Sequence, residues 1–416
     1  MQRYEAYRDS GVEWIGEVPE GWEIRRLKTL AVNDIRKTPT NQGAYIGLEN
    51  IQPWTQRFLE SAECSNDPEG NYYDEDCVLF GKLRPYLAKV FVPTESGQCS
   101  SEFLILRSEL LSLRYLSYSL INGRFIDEVN SLTYGAKMPR ASWETIGSIP
   151  SPLPSAREQA AIADYLDEKT AEIDSIVSQT ERSIELLREY RKSVISEAVT
   201  KGLDPDAPMR DSSVEWIGEI PAGWFILPFK RLANVVANLV TPDNYPEYWQ
   251  VAPEDMEKDT GRILRYKRVA DAAVVSDNHL FNAGLILYSK IRPSLNKVAI
   301  APFDGLCSAD MYPISTNEDT RWLLYYMLSN AFTEQVVVST NRVKMPKLNK
   351  EELGNMKVVL PDRNTQIKIA DYLDEKTAEI DSLIADKQRQ VELLREYRKS
   401  LISEAVTGKF KVPGLE

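Results

Sequence analysis

The chain repeats itself. Arg8–Trp22 reads RDSGVEWIGEVPEGW and Arg210–Trp224 reads RDSSVEWIGEIPAGW, identical at 12 of 15 positions at an offset of 202 residues. Ala163–Ser175 and Ala370–Ser382 are the same string, ADYLDEKTAEIDS, at an offset of 207 residues. ELLREYRKS occurs at Glu185–Ser193 and Glu392–Ser400, and ISEAVT at Ile195–Thr200 and Ile402–Thr407. Self-similarity at a fixed period means two copies of one structural unit. Between the matched ends, residues 23–150 and 225–357 align only in patches. FGKLRPYLAKV (Phe80–Val90) faces YSKIRPSLNKV (Tyr288–Val298), CSSEF (Cys99–Phe103) faces CSADM (Cys307–Met311), and KMPR (Lys137–Arg140) faces KMPK (Lys344–Lys347). A constant frame that carries two diverging bodies is the layout of a two-headed reader.

The constant segments are predicted to be helices. No proline or glycine falls between Glu158 and Thr200, and Glu, Leu, Arg, Ala, Lys and Ile dominate there. Leu166, Ile173, Leu187 and Val194 follow a seven-residue repeat with Thr180 in the middle slot, and Ile162, Ile176 and Tyr190 occupy the second seam position. The second copy places Leu373, Ile380, Leu394 and Leu401 on the first seam, with Lys387 in the middle slot, and Ile369, Leu383 and Tyr397 on the other. This is a coiled-coil pattern whose stripe shifts near Ile184 and Val391. Ser155 with Glu158 reads as a capping box, Asp362 as the second cap, and Gly202 and Gly408 as stops. A helix of this length spans roughly 60 Å. Neither copy buries such a stripe alone, so the two are expected to pair antiparallel. The bodies read as mixed α and β. Strands are expected at Cys77–Phe80, Lys89–Val92, Phe103–Leu106, Leu285–Tyr288 and Lys297–Ile300, and helices at Leu111–Asn122 and Thr320–Asn330.

Composition narrows the chemistry. At about 150 residues per domain, 416 residues allow two to four domains. No apolar run reaches the roughly 18 residues of a membrane span, and MQRYEAYRDS lacks the apolar core of a signal peptide. Cys64, Cys77, Cys99 and Cys307 form no C-x-x-C pair, so no zinc or disulfide framework is indicated and a reducing cytoplasm fits. One histidine, His279, leaves no His pair for a metal site or for acid–base work. The sequence has no phosphate-binding G-x-x-x-x-G-K-[ST] loop, no G-x-S-x-G elbow, no G-x-G-x-x-G turn and no Asn/Asp-Pro-Pro-aromatic motif of a DNA amino-methyltransferase. Neither catalysis, a cofactor nor a metal is expected. Fifty basic against 62 acidic residues give a net charge of −12, which argues against a protein that coats DNA nonspecifically.

The informative cations are local. Lys82, Arg84 and Lys89 with Lys137 and Arg140 recur as Lys290, Arg292 and Lys297 with Lys344 and Lys347. Each body thus repeats K-x-R-P-x-L-x-K and K-M-P-[RK]. Arginine offers a bidentate fork to guanine or phosphate, and lysine offers a point charge. A proline after the arginine fixes the loop that displays it. These ten residues are the DNA-contact candidates, although strand-end charges that only keep a surface soluble would look alike. Trp14, Trp22, Trp216 and Trp224 flank a proline–glycine turn and are expected to form a buried clamp where each body meets its helix.

With these motifs in view, the chain resembles the specificity subunit of a type I restriction-modification enzyme. The resemblance is carried by EWIGEVPEGW (Glu13–Trp22), FGKLRPYLAK (Phe80–Lys89), GAKMPR (Gly135–Arg140) and the P-x-x-x-E-Q entry (Pro154–Gln159) into IADYLDEKTAEID (Ile162–Asp174), each recurring in the second half. In the second copy Asn341-Arg-Val replaces Tyr-Gly-Ala before K-M-P, and Thr365 replaces the capping Glu. The resemblance implies an α+β chain with two pseudo-symmetric globular α/β target-recognition domains, 1–156 and 202–362, separated by two long coiled-coil helical spacers, 157–201 and 363–409, with a tail at 410–416. It implies a non-catalytic subunit that reads the two halves of an interrupted, asymmetric DNA site. Its partners would be double-stranded DNA, two methyltransferase subunits and, through them, restriction/translocase subunits, with no membrane partner. The spacer seam would comprise Leu166, Ile173, Ile176, Leu187, Tyr190, Leu373, Ile380, Leu383, Leu394 and Tyr397, and the helices would set the gap between half-sites. A coiled-coil scaffold with protein-binding heads and no DNA role is the competing reading. A sequence-dependent duplex shift in the presence of the methyltransferase subunit separates the two.

Overall fold

In the computed structural model, residues 2–37, 44–60, 70–135, 137–340 and 346–415 are described. The chain divides into two compact units, Met1–Thr180 with Arg389–Glu416, and Glu181–Gln388. The long helices Ala156–Lys201 and Arg363–Val406 each cross this division, so each unit holds half of each helix. Their starts follow from the sequence. The Glu158 amide donates to Ser155 Oγ while the Ser155 amide donates back to Glu158 Oε2 at 2.9 Å, which satisfies first-turn donors reciprocally. Asp362 accepts the amides of Asn364 and Thr365. Gly202 and Gly408, at φ +80° and +68°, take the left-handed conformation that ends each helix.

In the first unit, Tyr165 meets the ring of Phe410, just past the end of the second helix, with centroids 5.8 Å apart, and Asp174 pairs with Arg398 at 3.0 Å. As one helix rises in number the other falls, so the halves run antiparallel. In the second unit the pairs are Arg191 with Asp381 at 3.0 Å, and Val194, Ile195, Ala198 and Val199 in one cluster with Ile369, Ala370 and Leu373. The direction is again antiparallel.

The first seam lies where the repeat puts it. Leu166, Ile173, Leu373 and Ile380 are buried, and Leu187 and Leu394 are half-buried. The second seam holds only at its start, where Ile162 and Ile369 are buried. Ile176, Tyr190, Leu383 and Tyr397 are exposed, and the buried line runs instead through Ala163, Thr170, Ile184, Arg191 and Ala198. The next seam position after Ile173 lies four residues on rather than three. An apolar criterion chose Ile176 and Tyr190 because the true seam is partly polar. Thr170 is tolerable there because its hydroxyl meets Tyr118 Oη at 3.2 Å, and the same pair recurs as Thr377 with Tyr325.

The two bodies share a topology. In the first, Val32–Asn33, Phe103–Arg107, Val78–Gly81 and Val90–Phe91 form one antiparallel sheet in that order. In the second, Ala233–Val235, Met311–Thr316, Ile286–Ser289 and Val298–Ile300 repeat the order. A further sheet in each body contains a parallel pair, Ala44–Ile46 with Gly97–Cys99 and Trp249–Val251 with Gly305–Cys307. The strands expected from sequence lie within about one residue of these. The helices expected at Leu111–Asn122 and Thr320–Asn330 are Leu113–Ile121 and Thr320–Leu328, the latter pair each followed at once by a second helix.

Repeated polar contacts fasten each body to its helix. Arg114 pairs with Asp164 at 2.8 Å and also with Asp167, and Arg321 pairs with Asp371 at 2.8 Å and Asp374 at 2.7 Å. Gln159 accepts the Ser112 amide at 2.8 Å, and Gln366 accepts the Asp319 amide at 2.9 Å. The glutamine of the P-x-x-x-[ET]-Q entry is thus a helix-start anchor for the body. The tryptophan clamp forms fully in the first unit, where buried Trp22 donates to Glu158 at 2.8 Å and covers Gly408. In the second unit Trp224 covers Gly202 but is half-buried, and Thr365 stands where the first copy has Glu158. Trp216 is exposed, which corrects the expectation of burial for all four.

Candidate nucleic-acid interface

The two basic motifs, distant in sequence, are stitched together in each body. Arg84 adopts the left-handed conformation (φ +51°), its amide donates to Pro139 O at 2.7 Å, and Leu83 bridges Arg140. Arg292 adopts the same conformation (φ +45°), its amide donates to Pro346 O at 3.2 Å, and Ile291 bridges Lys347. Pro85 and Pro293 each open a one-turn 3-10 helix that closes on a second left-handed residue, Ala88 or Asn296. A non-glycine residue in this region costs roughly 1–2 kcal/mol. Arg84, Ala88 and Arg292 carry that cost, whereas Asn296 is one of the few side chains that adopt this region readily.

The ten candidate cations separate by what their side chains do. Arg84 and Arg292 are exposed, as is Lys137, and among the described residues none of the three has an ion pair. Lys82 is half-buried beside them, with its amide on Glu102 O. Arg140 is held by Glu102 at 2.7 Å and Lys347 by Asp310 at 3.4 Å, so the acid of C-S-x-[ED] offsets the last cation of K-M-P-[RK] in both bodies. Lys290 donates to Ala309 O at 2.6 Å and lies over the Tyr312 ring.

Lys89 and Lys297 each peg one segment of their body to another. Lys89 Nζ donates to Leu48 O at 2.5 Å, and Lys297 Nζ donates to Pro253 O at 2.6 Å. Burial holds the Lys89 ammonium below the ordinary lysine range. That carbonyl takes up one of the three N–H donors of each ammonium. Lys344 lies outside the described residues. Around Arg292 a cavity of about 450 Å³ is lined by Pro253, Ser289, Lys297, Asp310 and Lys347.

One feature of the second body was not read from the sequence. Arg265, Tyr266, Lys267 and Arg268 sit on a hairpin whose strand Lys267–Arg268 edges the five-stranded sheet. Arg268 stacks its guanidinium 3.7 Å from the Trp249 ring, and Tyr266 packs on Trp249 and Phe303 with centroids 4.9 Å apart. The run RYKR carries this signal in the sequence, but it has no counterpart in the first body, so the recurrence that singles out the other cations does not reach it. Cations interleaved with aromatic rings suit both phosphate and base contact.

A family model described as type I restriction modification DNA specificity domain matches residues 242–393. The EcoDI specificity subunit of Escherichia coli is 27% identical over 408 residues, covering 94% of this chain and 89% of that one. This chain is a homologue of the type I restriction enzyme specificity subunits. A solved chain from work on complex assembly and conformational transition of the type I R-M system has the same fold, with a TM-score of 0.72 at 16% identity, covering 94% of this chain and 98% of that one. The HsdS subunit from Thermoanaerobacter tengcongensis gives a TM-score of 0.50 at 16% identity, covering 94% of this chain and 98% of that one. Between the two copies in this chain the frame is nearly identical and the bodies differ. Contacts such as Gln159–Ser112 and Arg114–Asp164 hold the frame, and the exposed turns at Arg84 and Arg292 lie in the bodies. Among the described residues no helix is long and apolar enough to cross a membrane.

Proposed function

We propose that this chain is the sequence-reading subunit of a type I restriction-modification assembly. Each body reads one half of a bipartite, asymmetric duplex site through its Arg84 or Arg292 turn and the K-M-P loop stitched to it. The observation that supports this most strongly is the recurrence, in two otherwise divergent bodies, of an exposed left-handed arginine on a turn fastened to a second cationic loop. The chain performs no catalytic step. It docks two methyltransferase subunits and, through them, restriction/translocase subunits, and it acts in the cytoplasm. The net charge of −12 fits a division of labour in which partners supply part of the DNA affinity.

The test is selection of bound duplexes from a random library by the chain assembled with its methyltransferase subunit. The expected outcome is two different half-sites at one fixed gap, about one helical turn or roughly 10 bp apart centre to centre. A continuous or perfectly palindromic target, or no selection at all, overturns the reading.

A further inference from the structure

Two arginines in the identical EYRKS strings lie outside the DNA-contact candidates and do what a surface-helix arginine does not. Arg191 and Arg398 are each 6% exposed. Arg398 pairs through Nε with Asp174 of the opposite helix at 3.0 Å, and donates through Nη1 to Trp54 O at 2.6 Å. Arg191 pairs through Nε with Asp381 of the opposite helix at 3.0 Å, and donates to Asp259 O at 3.1 Å and Thr260 O at 3.0 Å. Each guanidinium therefore joins both helices of its unit to a hairpin of the body. The hairpins are closed by the bridges Ile51–Phe58 and Met256–Ile263. Each also returns an arginine to the same aspartate, Arg57 to Asp174 at 3.2 Å and Arg262 to Asp381 at 2.7 Å.

The hairpin leads directly to the DNA-contact turn. The Trp54 amide donates to Ala88 O, and the Asp259 amide to Asn296 O, both at 3.3 Å. Ala88 and Asn296 are the left-handed residues that close the turns opened by Arg84-Pro85 and Arg292-Pro293. The same relay is therefore built twice: buried helix arginine, hairpin carbonyl, hairpin amide, end of the arginine turn. A buried guanidinium with a missing acceptor is costly, so the hairpin has one favourable seat on the helix pair.

We propose that Arg191 and Arg398 are positioning residues for DNA reading. Each fixes the register of its body's arginine turn on the helix pair, so that Arg292 or Arg84 meets the duplex at a set place. The proposal rests on the DNA-reading function proposed above, and its test keeps the two apart.

The test is a double-mutant cycle on binding to the duplex selected by the wild-type assembly, with the full chain and its methyltransferase subunit. Arg292→Ala is expected to weaken binding by roughly tenfold or more in the wild-type background. In an Arg191→Met background, where the turn is no longer registered, adding Arg292→Ala is expected to cost less than about threefold more. Arg398→Met with Arg84→Ala repeats the cycle in the first unit. Where Arg191→Met lowers the melting midpoint enough to compromise folding, Asp381→Asn removes one acceptor charge at constant shape and the cycle is read with it. Additive losses overturn the positioning role while leaving DNA reading in place. A silent Arg292→Ala overturns it too, since nothing would then be positioned. A wild-type assembly that selects no sequence fails the functional reading itself.

Discussion

At the scale of single residues, the two R-P turns show how a side chain and its backbone carry separate demands. Arg84 holds φ +51°, where a glycine is unstrained. Arg84→Gly and Arg84→Ala should therefore lose the same DNA contact, about 1–3 kcal/mol of binding. They should differ in stability by up to about 1 kcal/mol in favour of glycine. Thermal melting set beside duplex titration checks both halves, and equal DNA affinity to wild type in the two variants would remove Arg84 from the interface. Lys89→Met should behave in the opposite way, lowering the melting midpoint through the orphaned Leu48 carbonyl, with any binding loss following stability. The cysteines give a third check. Burial pushes the thiols of Cys77, Cys99 and Cys307 up to about 12. In the folded chain all three should resist alkylation at neutral pH and become reactive only in denaturant, as mass spectrometry of labelled peptides would show. The sequence made the arginine turns legible because K-x-R-P-x-L-x-K occurs twice. It did not separate Lys89 from Lys137, since a lysine pegged to a carbonyl and an exposed lysine are the same residue type and differ only in what lies within reach.

At the scale of elements, helix ends were legible because capping chemistry is local. Ser155, Glu158, Asp362, Gly202 and Gly408 do what their types and positions dictate. The second seam was not legible because its fillers include Thr170, Arg191 and Arg398, whose burial depends on partners outside the helix. Gly408 gives this a measurable form. A Cβ there would lie 2.5 Å from Pro19 Cδ and 3.0 Å from the Trp22 ring, whereas one at Gly202 would meet the Trp224 ring no closer than 3.2 Å. Gly408→Ala should cost about 1 kcal/mol for the left-handed backbone plus about 1–3 kcal/mol for the overlap. Gly202→Ala should cost less, because half-buried Trp224 has room to shift. Denaturant unfolding of the two variants decides the order, and equal costs would mean that Pro19 and Trp22 do not press on the helix end.

At the scale of the whole chain, the duplication was legible from identity alone. What the sequence left open was where the chain can be lengthened without breaking a lock. Each shared helix contains one T-A-E-I step, but duplicating Thr170–Ile173 alone would slide Asp174 about 6 Å along its helix, away from Arg398, while the opposite helix stayed unchanged. The division between units lies after Thr180 in one helix and after Gln388 in the other. The pairs Tyr165–Phe410, Asp174–Arg398 and Arg191–Asp381 each lie within one unit. Four helix-forming residues inserted at both points therefore leave every one of these contacts in register. They add about 6 Å of rise and about 40° of rotation. If the paired helices are the ruler, the double insertion should keep both half-sites and lengthen the preferred gap by about two base pairs, at about 3.4 Å per pair. The single duplication should lower the melting midpoint and give no clean lengthening. Libraries with randomised gap length, bound by each variant with its methyltransferase subunit, read both outcomes. A folded double-insertion variant that keeps the parental gap would move the ruler from these helices to the partner subunits.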